Sequence, residues 1–452
     1  MVFSFIRYTQ PGWQFNITPA KNISFSSCYY HPRLLPLTDL KDVEADTDFE
    51  TEAARNADIG YRAWMRGALT WTDKNTADKI RFLSPPSLKD EYTFIFKYWG
   101  RPWALFALVQ RLFSLHNPFK ELTAYAKARS KKRINPYTNP IARESFHTFQ
   151  STLVEAQPLV AVIIPTLNRY KYLKDVLEDL EKQDYKNFEV IVVDQSNPFD
   201  ADFYQSFTIC ISVFHQKERL LWTARNNAVK ATKAEYLLFF DDDSRVNPDW
   251  ITQHIKGLDY FQSDISAGVS LATVGMKVPA SYSYFRWADQ FDSGNAMVKR
   301  SVFKQVGGFD EQYNKQRMGD GEFGLRAYLN GYKSISNPHA YRVHLKVSEG
   351  GLREMGSWDG FRPKKWFAPK PIPSVIFLYK KYYPKRLYRG MMLLGIMLSN
   401  VHYRNKGSNK MLAVSIGLTV IKSPLLLIQF LRARSIAKKM LRKDDGIKLL
   451  EA

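Results

Sequence analysis

The stretch LLFFDDDS, at Leu237–Ser244, decides the fold class more than any other part of the sequence. Its four apolar residues predict a buried strand, and three consecutive aspartates follow that strand directly. Carboxylates packed this closely repel one another unless a cation lies between them. Mg²⁺ or Mn²⁺ can supply that cation, because both ions favour carboxylate oxygens. The alternative is a solvated acidic turn without a ligand.

Strands and helices alternate around this stretch, from residue 159 onward. Apolar runs predict four strands, at 159–164, 188–193, 208–214 and 235–240. With helices between them, these runs form a βαβ pattern, which is typical of an α/β fold with a mostly parallel, doubly wound sheet and flanking helices. Ligands of such sheets bind beyond the carboxyl ends of the strands, where the aspartates fall. The first strand is followed by PTLNR rather than a glycine-rich turn, which excludes a dinucleotide-dependent dehydrogenase.

Composition indicates a folded chain from a reducing compartment. The 452 residues are enough for two or three domains, and an apolar content of 45% can fill their cores. Cys28 and Cys210 provide neither a disulfide framework nor a zinc site. Cys210 lies in an apolar run, so we expect a buried strand residue. The N-terminal residues do not resemble a secretory signal, and we expect a cytoplasmic protein.

Basic residues concentrate near the C-terminus. The net charge is +21, and residues 371–452 contain 16 Lys and Arg against 3 Asp and Glu, a net charge of +13. Such a segment predicts an anionic partner, either lipid headgroups or nucleic acid. Its long apolar stretches favour an anionic membrane surface, and no nucleic-acid recognition motif is present, so we expect no nucleic-acid partner.

The apolar stretch at 411–431 is long enough to span a bilayer in principle. Lys422 and Pro424 interrupt it, however, and favour an amphipathic helix that lies in the membrane interface. A helix packed on the rest of the protein is the remaining possibility.

These features divide the chain into three regions. Residues 1–150 form an N-terminal accessory region of unknown role, residues 151–370 form the α/β domain, and residues 371–452 form a basic, amphipathic helical tail associated with membranes. In the accessory region, a helix after Pro102 carries an apolar stripe. That stripe could face a core or a bilayer surface, and a core is the simpler expectation.

Several segments of the α/β domain resemble the motifs of family 2 glycosyltransferases, which have the GT-A fold. The segments are VIIPTLNR at 162–169, VVD at 192–194, ARNNA at 224–228, the aspartates at 241–243, GGFDE at 307–311 and MGDGEFGLR at 318–326. Each motif is weak alone, but their common order and spacing make the resemblance specific. It covers residues 159–344, less than half of the chain.

The resemblance implies a binding site for a nucleotide-sugar. The residues implied to bind it are Pro165, Thr166, Asn168, Arg169, Asp194, Arg225, Asn226, Asp241 and Asp242. Asp194 would accept a hydrogen bond from a uracil N–H, and Arg225 would bind a phosphate or ribose oxygen. Without the resemblance, Asp194 is equally well explained as a helix N-cap and Arg225 as part of a surface ion pair.

The resemblance also implies a metal site and a general base. The implied metal ligands are Asp243, Asp241 and His344, although a lone histidine on a strand is more often structural. Asp320 would be the general base, with Glu322 as the alternate base. Many relatives carry Glu-Asp where this chain has Gly-Asp at 319–320, and an aspartate there can also cap the following helix.

Together these features predict an inverting glycosyltransferase with Mn²⁺ or Mg²⁺ as its cofactor. It would move a sugar from a nucleotide-sugar, most simply a UDP-sugar, to a hydroxyl of a saccharide or lipid-linked acceptor. We expect the enzyme to act in bacterial surface polysaccharide or glycoconjugate synthesis. The basic tail suggests a peripheral protein on the inner face of the cytoplasmic membrane. The alternative is a catalytically inactive nucleotide-binding membrane adaptor of the same fold.

Overall fold

The chain divides into two compact units. A computed structural model describes residues 2–37, 39, 43–83, 85–272, 279–289, 291–347, 352, 360–363, 365–400, 408–444 and 446–449. The first unit combines residues 1–141 with residues 359–441, and we call it the helical unit. The second combines residues 142–358 with residues 442–452, and we call it the sheet unit.

Helices and strands are numbered in chain order. The helices are α1 Ile6–Thr9, α2 Glu52–Met65, α3 Lys74–Leu83, α4 Leu88–Tyr98, α5 Arg101–Phe113, α6 Pro118–Ala128, α7 Ser145–Thr148, α8 Thr152–Ala156, α9 Tyr170–Glu181, α10 Leu221–Ala231, α11 Trp250–Tyr260, α12 Arg300–Val306, α13 Gly319–Leu329, α14 Pro373–Tyr382, α15 Lys385–Leu398, α16 Asn409–Ile421 and α17 Ser423–Arg442. The strands are β1 Ser24–Ser26, β2 Trp71–Asp73, β3 Val160–Thr166, β4 Phe188–Asp194, β5 Ile211–His215, β6 Tyr236–Phe240, β7 Ser244–Arg245, β8 Ile265–Ala272, β9 Arg286–Trp287, β10 Asn295–Lys299 and β11 Ser334–His344.

The sheet unit is built on one mixed sheet. Its strand order is β5-β4-β3-β6-β10-β8-β11-β7, and β9 pairs with β11. The first four strands are parallel, as the βαβ pattern predicts. Strand β10 then pairs antiparallel with both β6 and β8, which the pattern does not predict. The α/β fold class with flanking helices is confirmed, and the parallel, doubly wound arrangement describes the half of the sheet that ends at β6.

Burial explains why the predicted strands form. All seven residues of β3 are buried, as expected for a parallel strand covered on both faces. Helix α9 packs its apolar stripe, which includes Leu173 and Leu177, into a core shared with β3, β4 and β6. Strand β5 lies at the edge of the sheet and begins at Ile211. The expectation for Cys210 is therefore wrong: this residue precedes the edge strand and is exposed.

Strand β11 joins two distant parts of the sheet. It pairs in parallel with β8 and antiparallel with the two-residue strand β7. In that register His344 lies opposite Ser244. Because β7 follows the three aspartates directly, this pairing brings the end of β11 to the aspartates.

The helical unit joins the N-terminal and C-terminal regions of the chain. Helix α14 buries most of its residues, and the hydroxyl of Tyr383 donates a hydrogen bond to the carbonyl of Gly12 at 3.0 Å. The sequence divides the chain at residues 150 and 370 and treats 371–452 as a separate tail. The structure instead groups residues 359–441 with residues 1–141, because helices near the C-terminus bury apolar faces in that unit.

The apolar stretch at 411–431 is divided between two helices. Helix α16 ends at Ile421 and α17 begins at Ser423, and the apolar part of the pair, Ala413–Ile421 with Ser423–Arg442, is bent by 78°. Within the described part of the chain, no single helix has the length and apolar composition needed to cross a membrane, and only this bent pair passes that test jointly. The break lies at Lys422 and Pro424, the two residues that argue against a spanning helix in the sequence.

Candidate active site

The carboxyl ends of three parallel strands meet at one edge of the sheet. Thr166 ends β3, Asp194 ends β4, and the three aspartates follow β6. The register pairs Thr166 with Asp194, and Thr166 Oγ1 donates a hydrogen bond to Asp242 Oδ2 at 2.8 Å. Residues predicted for the donor site from three separate motifs therefore lie together, as expected for a doubly wound sheet.

Asp241 is held by two buried arginines. Arg225 Nη2 donates to Asp241 Oδ1 at 3.0 Å, and Arg342 Nη1 donates to Asp241 Oδ2 at 2.8 Å. Both guanidinium groups are buried, so these charge-assisted bonds are strengthened by low local dielectric. The two contacts fix the orientation of the Asp241 carboxylate at the edge of the sheet.

Arg342 connects Asp241 to a second carboxylate. Its Nη2 donates to Asp292 Oδ2 at 2.9 Å, and its Nε donates to Ser270 Oγ at 2.8 Å. Burial lowers the pKa of Arg342, but the charges of Asp292 and Asp241 outweigh burial and raise the pKa above its ordinary value. Burial alone would raise the pKa of Asp292, but the charge of Arg342 outweighs burial and lowers this pKa below its ordinary value. Arg342 therefore stays charged while it holds both carboxylates.

Arg225, predicted to bind a phosphate or ribose oxygen, has internal partners for its guanidinium group. Its side chain is fully buried, and Nη1 and Nη2 donate to the hydroxyl and the carbonyl of Ser293, each at 2.7 Å. The alternative of a surface ion pair is wrong, because the Arg225 side chain is fully buried. Since Ser293 and Asp241 occupy its planar fork, Arg225 positions Asp241.

The three predicted metal ligands, Asp241, Asp243 and His344, form a cluster. One potential ligand atom from each lies within 4.8 Å of the other two. His344 Nε2 is 3.2 Å from Asp243 Oδ1, and Arg169 Nη1 is 3.5 Å from Asp243 Oδ2. Two carboxylates and an imidazole are a donor set that suits Mn²⁺, and the carboxylates suit Mg²⁺. The residues present therefore fit a divalent cation.

Asp242 supports the turn that follows β3. Its Oδ1 accepts a hydrogen bond from Arg169 Nη1 at 2.8 Å, and its Oδ2 accepts the bond from Thr166. Burial raises the pKa of Asp242 to about 6, although Arg169 opposes that shift. Asp242 is buried and both its oxygens bind residues of the turn, so it supports the turn, and its contact with a donor stays a prediction.

The turn places its predicted donor residues differently. Pro165 is a buried residue of β3, opposite Val193. Asn168 is exposed and has a φ of 53°, in the left-handed region that asparagine tolerates. Its backbone N–H donates to Ser196 Oγ at 2.7 Å, and its Oδ1 accepts from the Asn197 N–H at 3.0 Å. The loops after β3 and β4 are therefore bonded to each other.

Asp194 is bound by the segment that follows β4 and by Tyr170 of α9. Its Oδ2 accepts from the hydroxyls of Tyr170 and Tyr204, at 2.7 and 2.8 Å, and its Oδ1 accepts from the Ser196 N–H at 2.8 Å. The side chain is fully buried. Asp194 thus bonds the loop after β4 rather than a helix N-terminus, and a contact with a uracil N–H would compete with two tyrosine hydroxyls.

Two further predicted residues hold the GGFDE turn instead of facing a ligand. Asn226 Oδ1 accepts from the Phe309 N–H at 2.8 Å, and its Nδ2 donates to the Phe309 carbonyl at 2.9 Å. Glu322 is fully buried, and both of its oxygens accept from Arg326 at 2.9 Å. Internal partners therefore bury and bind both side chains, which were predicted as a donor ligand (Asn226) and an alternate base (Glu322).

Asp320 lies in the first turn of α13. Its side chain is half-buried, and Oδ1 accepts from the Gly321 N–H at 2.8 Å. The preceding residue, Gly319, has no room for a side chain: a Cβ there would lie 2.7 Å from Trp222 Cζ2. The same indole ring lies 5.4 Å from Arg225, the arginine that holds the first aspartate. Trp222 therefore connects the start of α13 to the aspartates and explains why a glycine stands before Asp320.

Comparison with known proteins identifies the sheet unit. Residues 161–313 match the family described as glycosyl transferase family 2. The chain contains a family 2 glycosyltransferase domain. The resemblance seen in the motifs is confirmed, and the fold is of the GT-A type. The matched residues include every predicted donor residue and two of the three predicted metal ligands, whereas Asp320, Glu322 and His344 follow them.

The relatives of this family 2 domain are longer proteins, and the match covers only part of each. The glycosyltransferase GlyA of Streptococcus pneumoniae is 29% identical over 240 residues, which are 52% of this chain and 31% of GlyA. The poly(ribitol-phosphate) beta-N-acetylglucosaminyltransferase TarS of Staphylococcus aureus is 29% identical over 128 residues, 27% of this chain and 22% of TarS. The chain spans about a third or less of the length of the curated relatives it matches.

Solved structures show a distant likeness. Residues 1–349 of S. aureus TarS, in complex with UDP-GlcNAc, match with a TM-score of 0.41 and 20% identity, over 60% of this chain and 79% of that one. The mannosyltransferase PcManGT from Pyrobaculum calidifontis, in complex with GDP-Man and Mn²⁺, matches with a TM-score of 0.39 and 15% identity, over 66% of this chain and 89% of that one.

The motif analysis of the family 2 domain missed Arg342, Asp292 and Ser293. These residues bind Asp241 or its two arginines, yet none of them lies in a quoted motif. A signal is present at 292–294, where DSG precedes the apolar strand β10. Gly294 is required there, because a Cβ would lie 2.5 Å from Arg342 Nη2. A polar turn with a glycine before a buried strand could have predicted a close backbone approach at this position.

Proposed function

We propose that this chain is a metal-dependent, inverting glycosyltransferase that uses a nucleotide-sugar donor, in particular a UDP-sugar. The observation that carries the proposal is the cluster of Asp241, Asp243 and His344 beside the carboxyl ends of parallel strands. The family 2 match supports sugar transfer. The sequence relative TarS is a beta-N-acetylglucosaminyltransferase, which supports an activated hexosamine as one donor to test.

Asp241, Asp243 and His344 would hold Mn²⁺ or Mg²⁺. The bound ion supplies a Lewis acid that neutralises charge on the departing diphosphate. Arg225 and Arg342 keep the Asp241 carboxylate in one orientation, so that this ligand loses little freedom when the cation binds. The buried bonds around Asp242 hold the turn after β3, where the exposed Asn168 remains available to a donor.

Asp320 is the proposed general base. It would take the proton of an acceptor hydroxyl while that oxygen attacks the anomeric carbon, and the bond to the diphosphate breaks in the same step. A single displacement from the opposite face inverts the configuration at that carbon. Glu322 is not proposed, because the ion pair with Arg326 buries it.

The acceptor proposed is a hydroxyl of a saccharide or a lipid-linked saccharide, in bacterial surface polysaccharide or glycoconjugate synthesis. The support is the C-terminal region, with its net charge of +13 and the exposed apolar residues Val420 and Ile421 of α16. A basic segment with exposed apolar side chains can bind an anionic membrane surface. We therefore place the protein peripherally on the inner face of the cytoplasmic membrane.

Release of UDP tests this proposal. Purified protein is incubated with a panel of UDP-sugars and Mn²⁺, and free UDP is measured with and without a chelator. We expect metal-dependent release that Asp243→Asn abolishes, because the change removes one ligand with little change in shape. Asp202→Asn, an exposed aspartate in the same unit, should keep the wild-type rate. Donor-independent or metal-independent release would refute the proposed mechanism.

The alternative is an inactive nucleotide-binding membrane adaptor of the same fold. Such a protein would bind nucleotide beyond the carboxyl ends of the same strands but would not turn over a donor. Calorimetry with UDP and Mn²⁺ separates the two functions. Binding without UDP release from any donor in the panel would favour the adaptor.

A further inference from the structure

The helical unit exposes an apolar hairpin that the active site does not use. The hairpin comprises α5, the loop at residues 114–117 and α6. Six large apolar side chains on it are exposed: Leu105, Val109, Phe113, Leu115, Phe119 and Leu122. Three of them are almost fully exposed and lie at the tip, with values of 83% for Phe113, 94% for Leu115 and 81% for Phe119. Side chains exposed to this degree project from the surface and mark an interaction site.

The exposed residues form one stripe on a firmly held support. Leu105, Val109 and Phe113 recur at intervals of four, so they lie along one face of α5. The opposite side of the hairpin is anchored internally, where Glu121 pairs with Arg111 at 2.6 Å and accepts a hydrogen bond from Tyr92 at 2.7 Å. The stripe is therefore the outer face of a packed element.

The surface charge around the hairpin is positive. Residues 101–133 contain eight Lys and Arg and one acidic residue, Glu121, which is buried in the pair with Arg111. Exposed cations come after the tip in the chain, at Lys120, Lys127, Arg129, Lys132 and Arg133. Apolar side chains at a tip, with lysine and arginine beside them, match the boundary between acyl chains and anionic headgroups.

A groove of about 430 Å³ adjoins the tip. It is lined by Phe119 together with Lys120, Lys127 and Lys89, and Glu50 on its wall is paired with Lys89 at 2.8 Å. The groove therefore has an excess of positive charge next to an exposed aromatic ring. A phosphate headgroup fits this combination, because its charge meets the lysines while the attached acyl chains lie beside the ring.

We propose that the hairpin inserts its tip, Phe113, Leu115 and Phe119, into the interface of an anionic lipid bilayer. This hairpin is a membrane-binding surface other than the C-terminal helices, so the proposal deepens the proposed membrane association. The insertion does not depend on sugar transfer. The simpler expectation from the sequence, that the stripe of α5 faces a core, is wrong for Leu105, Val109 and Phe113, which are exposed.

Vesicle binding by the full chain tests the inference. Phosphatidylcholine vesicles with and without phosphatidylglycerol are sedimented with wild-type protein, with Phe113→Ser and with Phe82→Ser. Phe82 is a matched control, since it is 82% exposed in the same unit but lies at the end of α3. We expect Phe113→Ser to lower the partition coefficient on anionic vesicles about tenfold, and Phe82→Ser to leave it unchanged. Equal effects of the two substitutions would overturn the proposal.

A dye at the tip reports insertion directly. Cys28 is buried and Cys210 is exposed, so Leu115→Cys in a Cys210→Ser background offers one accessible thiol for a polarity-sensitive dye. Anionic vesicles should shift its emission to the blue, and quenchers placed in the acyl region should reduce it, whereas a dye at Phe82→Cys should not respond. A shift caused by raised protein concentration or by an oligonucleotide, without vesicles, would instead indicate a second copy or nucleic acid.

Metal-dependent UDP release is measured on the same proteins without vesicles. A hairpin variant that loses vesicle binding and keeps UDP release supports both proposals. If the wild-type protein released no UDP, that result would count against the transferase alone. If Phe113→Ser left vesicle binding unchanged, that result would count against the hairpin alone.

Discussion

Arg342 and Asp241 lie 2.8 Å apart, from Nη1 to Oδ2, although 101 positions separate them in the sequence. Arg342 precedes His344 by two positions on β11, so both side chains lie on the same face of the sheet. One binds Asp241 and the other lies 3.2 Å from Asp243. A single strand thus brings a counter-charge and a candidate metal ligand to the aspartates.

Substituting Arg342→Lys should destabilise the sheet unit and weaken metal binding. A lysine ammonium cannot bridge Asp241 and Asp292 with the fork geometry of a guanidinium, so buried polar atoms lose their partners. We expect the free energy of unfolding to fall by about 1–3 kcal/mol, the usual cost of such losses. Urea-induced unfolding measures the change.

Arg245→Lys is the control for that substitution. Arg245 lies on the neighbouring strand β7 and pairs with Asp179 of α9 at 2.7 Å. The Arg245 side chain is 41% exposed. Water reaches the Arg245 side chain and weakens its pair, so this variant should lose less stability than Arg342→Lys. If both variants lost the same stability, burial of the Arg342 pairs would not be the reason for their importance.

Local sequence patterns predicted the half of the sheet in which neighbouring strands follow each other in the βαβ pattern. The apolar runs of β3, β4 and β6 are continuous because both faces of those strands are buried. Asp241 and Asp243 follow β6 directly, so their place at the edge of the sheet came from the strand prediction alone. Their role as a cluster also required His344, which the family resemblance supplied.

Long-range pairing could not be predicted in the same way. The strand β7 has two residues and no periodic pattern, yet its pairing with β11 brings His344 to the aspartates. Arg225, Asn226 and Glu322 were assigned from motif position, which does not reveal burial. Ser293 and Phe309 meet Arg225 and Asn226 only in the folded chain. Arg326 lies four residues after Glu322 on α13, so the sequence contains this pair but does not reveal its burial.

His344→Gln should weaken the binding of Mn²⁺ alone. The change removes an imidazole nitrogen from the cluster and replaces it with an amide, a poorer ligand for this ion. Calorimetric titration with MnCl₂ should show a dissociation constant raised at least about tenfold, a loss of about 1.4 kcal/mol. His215→Gln, at the exposed end of β5, should bind Mn²⁺ as the wild type does. An unchanged dissociation constant for the His344 variant would exclude this histidine from the site.

Gly319→Ala should reduce turnover more than stability. The added Cβ would lie 2.7 Å from Trp222 Cζ2, so the start of α13, and Asp320 with it, must shift. Displacement of a general base by a fraction of an ångström affects kcat more than donor binding, and we expect kcat to fall at least about tenfold. Steady-state kinetics with a hydrolysable UDP-sugar measure both constants.

Gly321→Ala provides the comparison within the same helical turn. Among the described residues, the heavy atom nearest to a Cβ at position 321 is Met318 Cε, at 3.9 Å, so the methyl group fits. Alanine is the better helix former by about 1 kcal/mol, and this variant should keep its kcat and gain stability. A similar loss of kcat in both variants would mean that Trp222 does not determine the position of Asp320.

His254 should make the sheet unit sensitive to acid. It is fully buried, with Nδ1 2.9 Å from Ser266 Oγ and Nε2 3.1 Å from Asn295 Oδ1. Burial lowers the pKa of His254 to about 4, whereas in the unfolded chain it is about 6.5. Between these values the unfolded chain binds more protons, so the contribution is complete above pH 6.5 and is lost as the pH falls toward 4.

The stability lost through His254 should reach about 3 kcal/mol, because each unit of pKa difference corresponds to about 1.4 kcal/mol. His254→Gln removes this titration. The difference in free energy of unfolding between the wild type and this variant should therefore shrink by about 3 kcal/mol from pH 7.5 to pH 4. Carboxylates that titrate over the same range are common to both proteins and cancel in the difference. His215→Gln, at an exposed position, should differ from the wild type by a nearly constant amount. A constant difference for His254→Gln as well would show that burial does not keep this imidazole neutral.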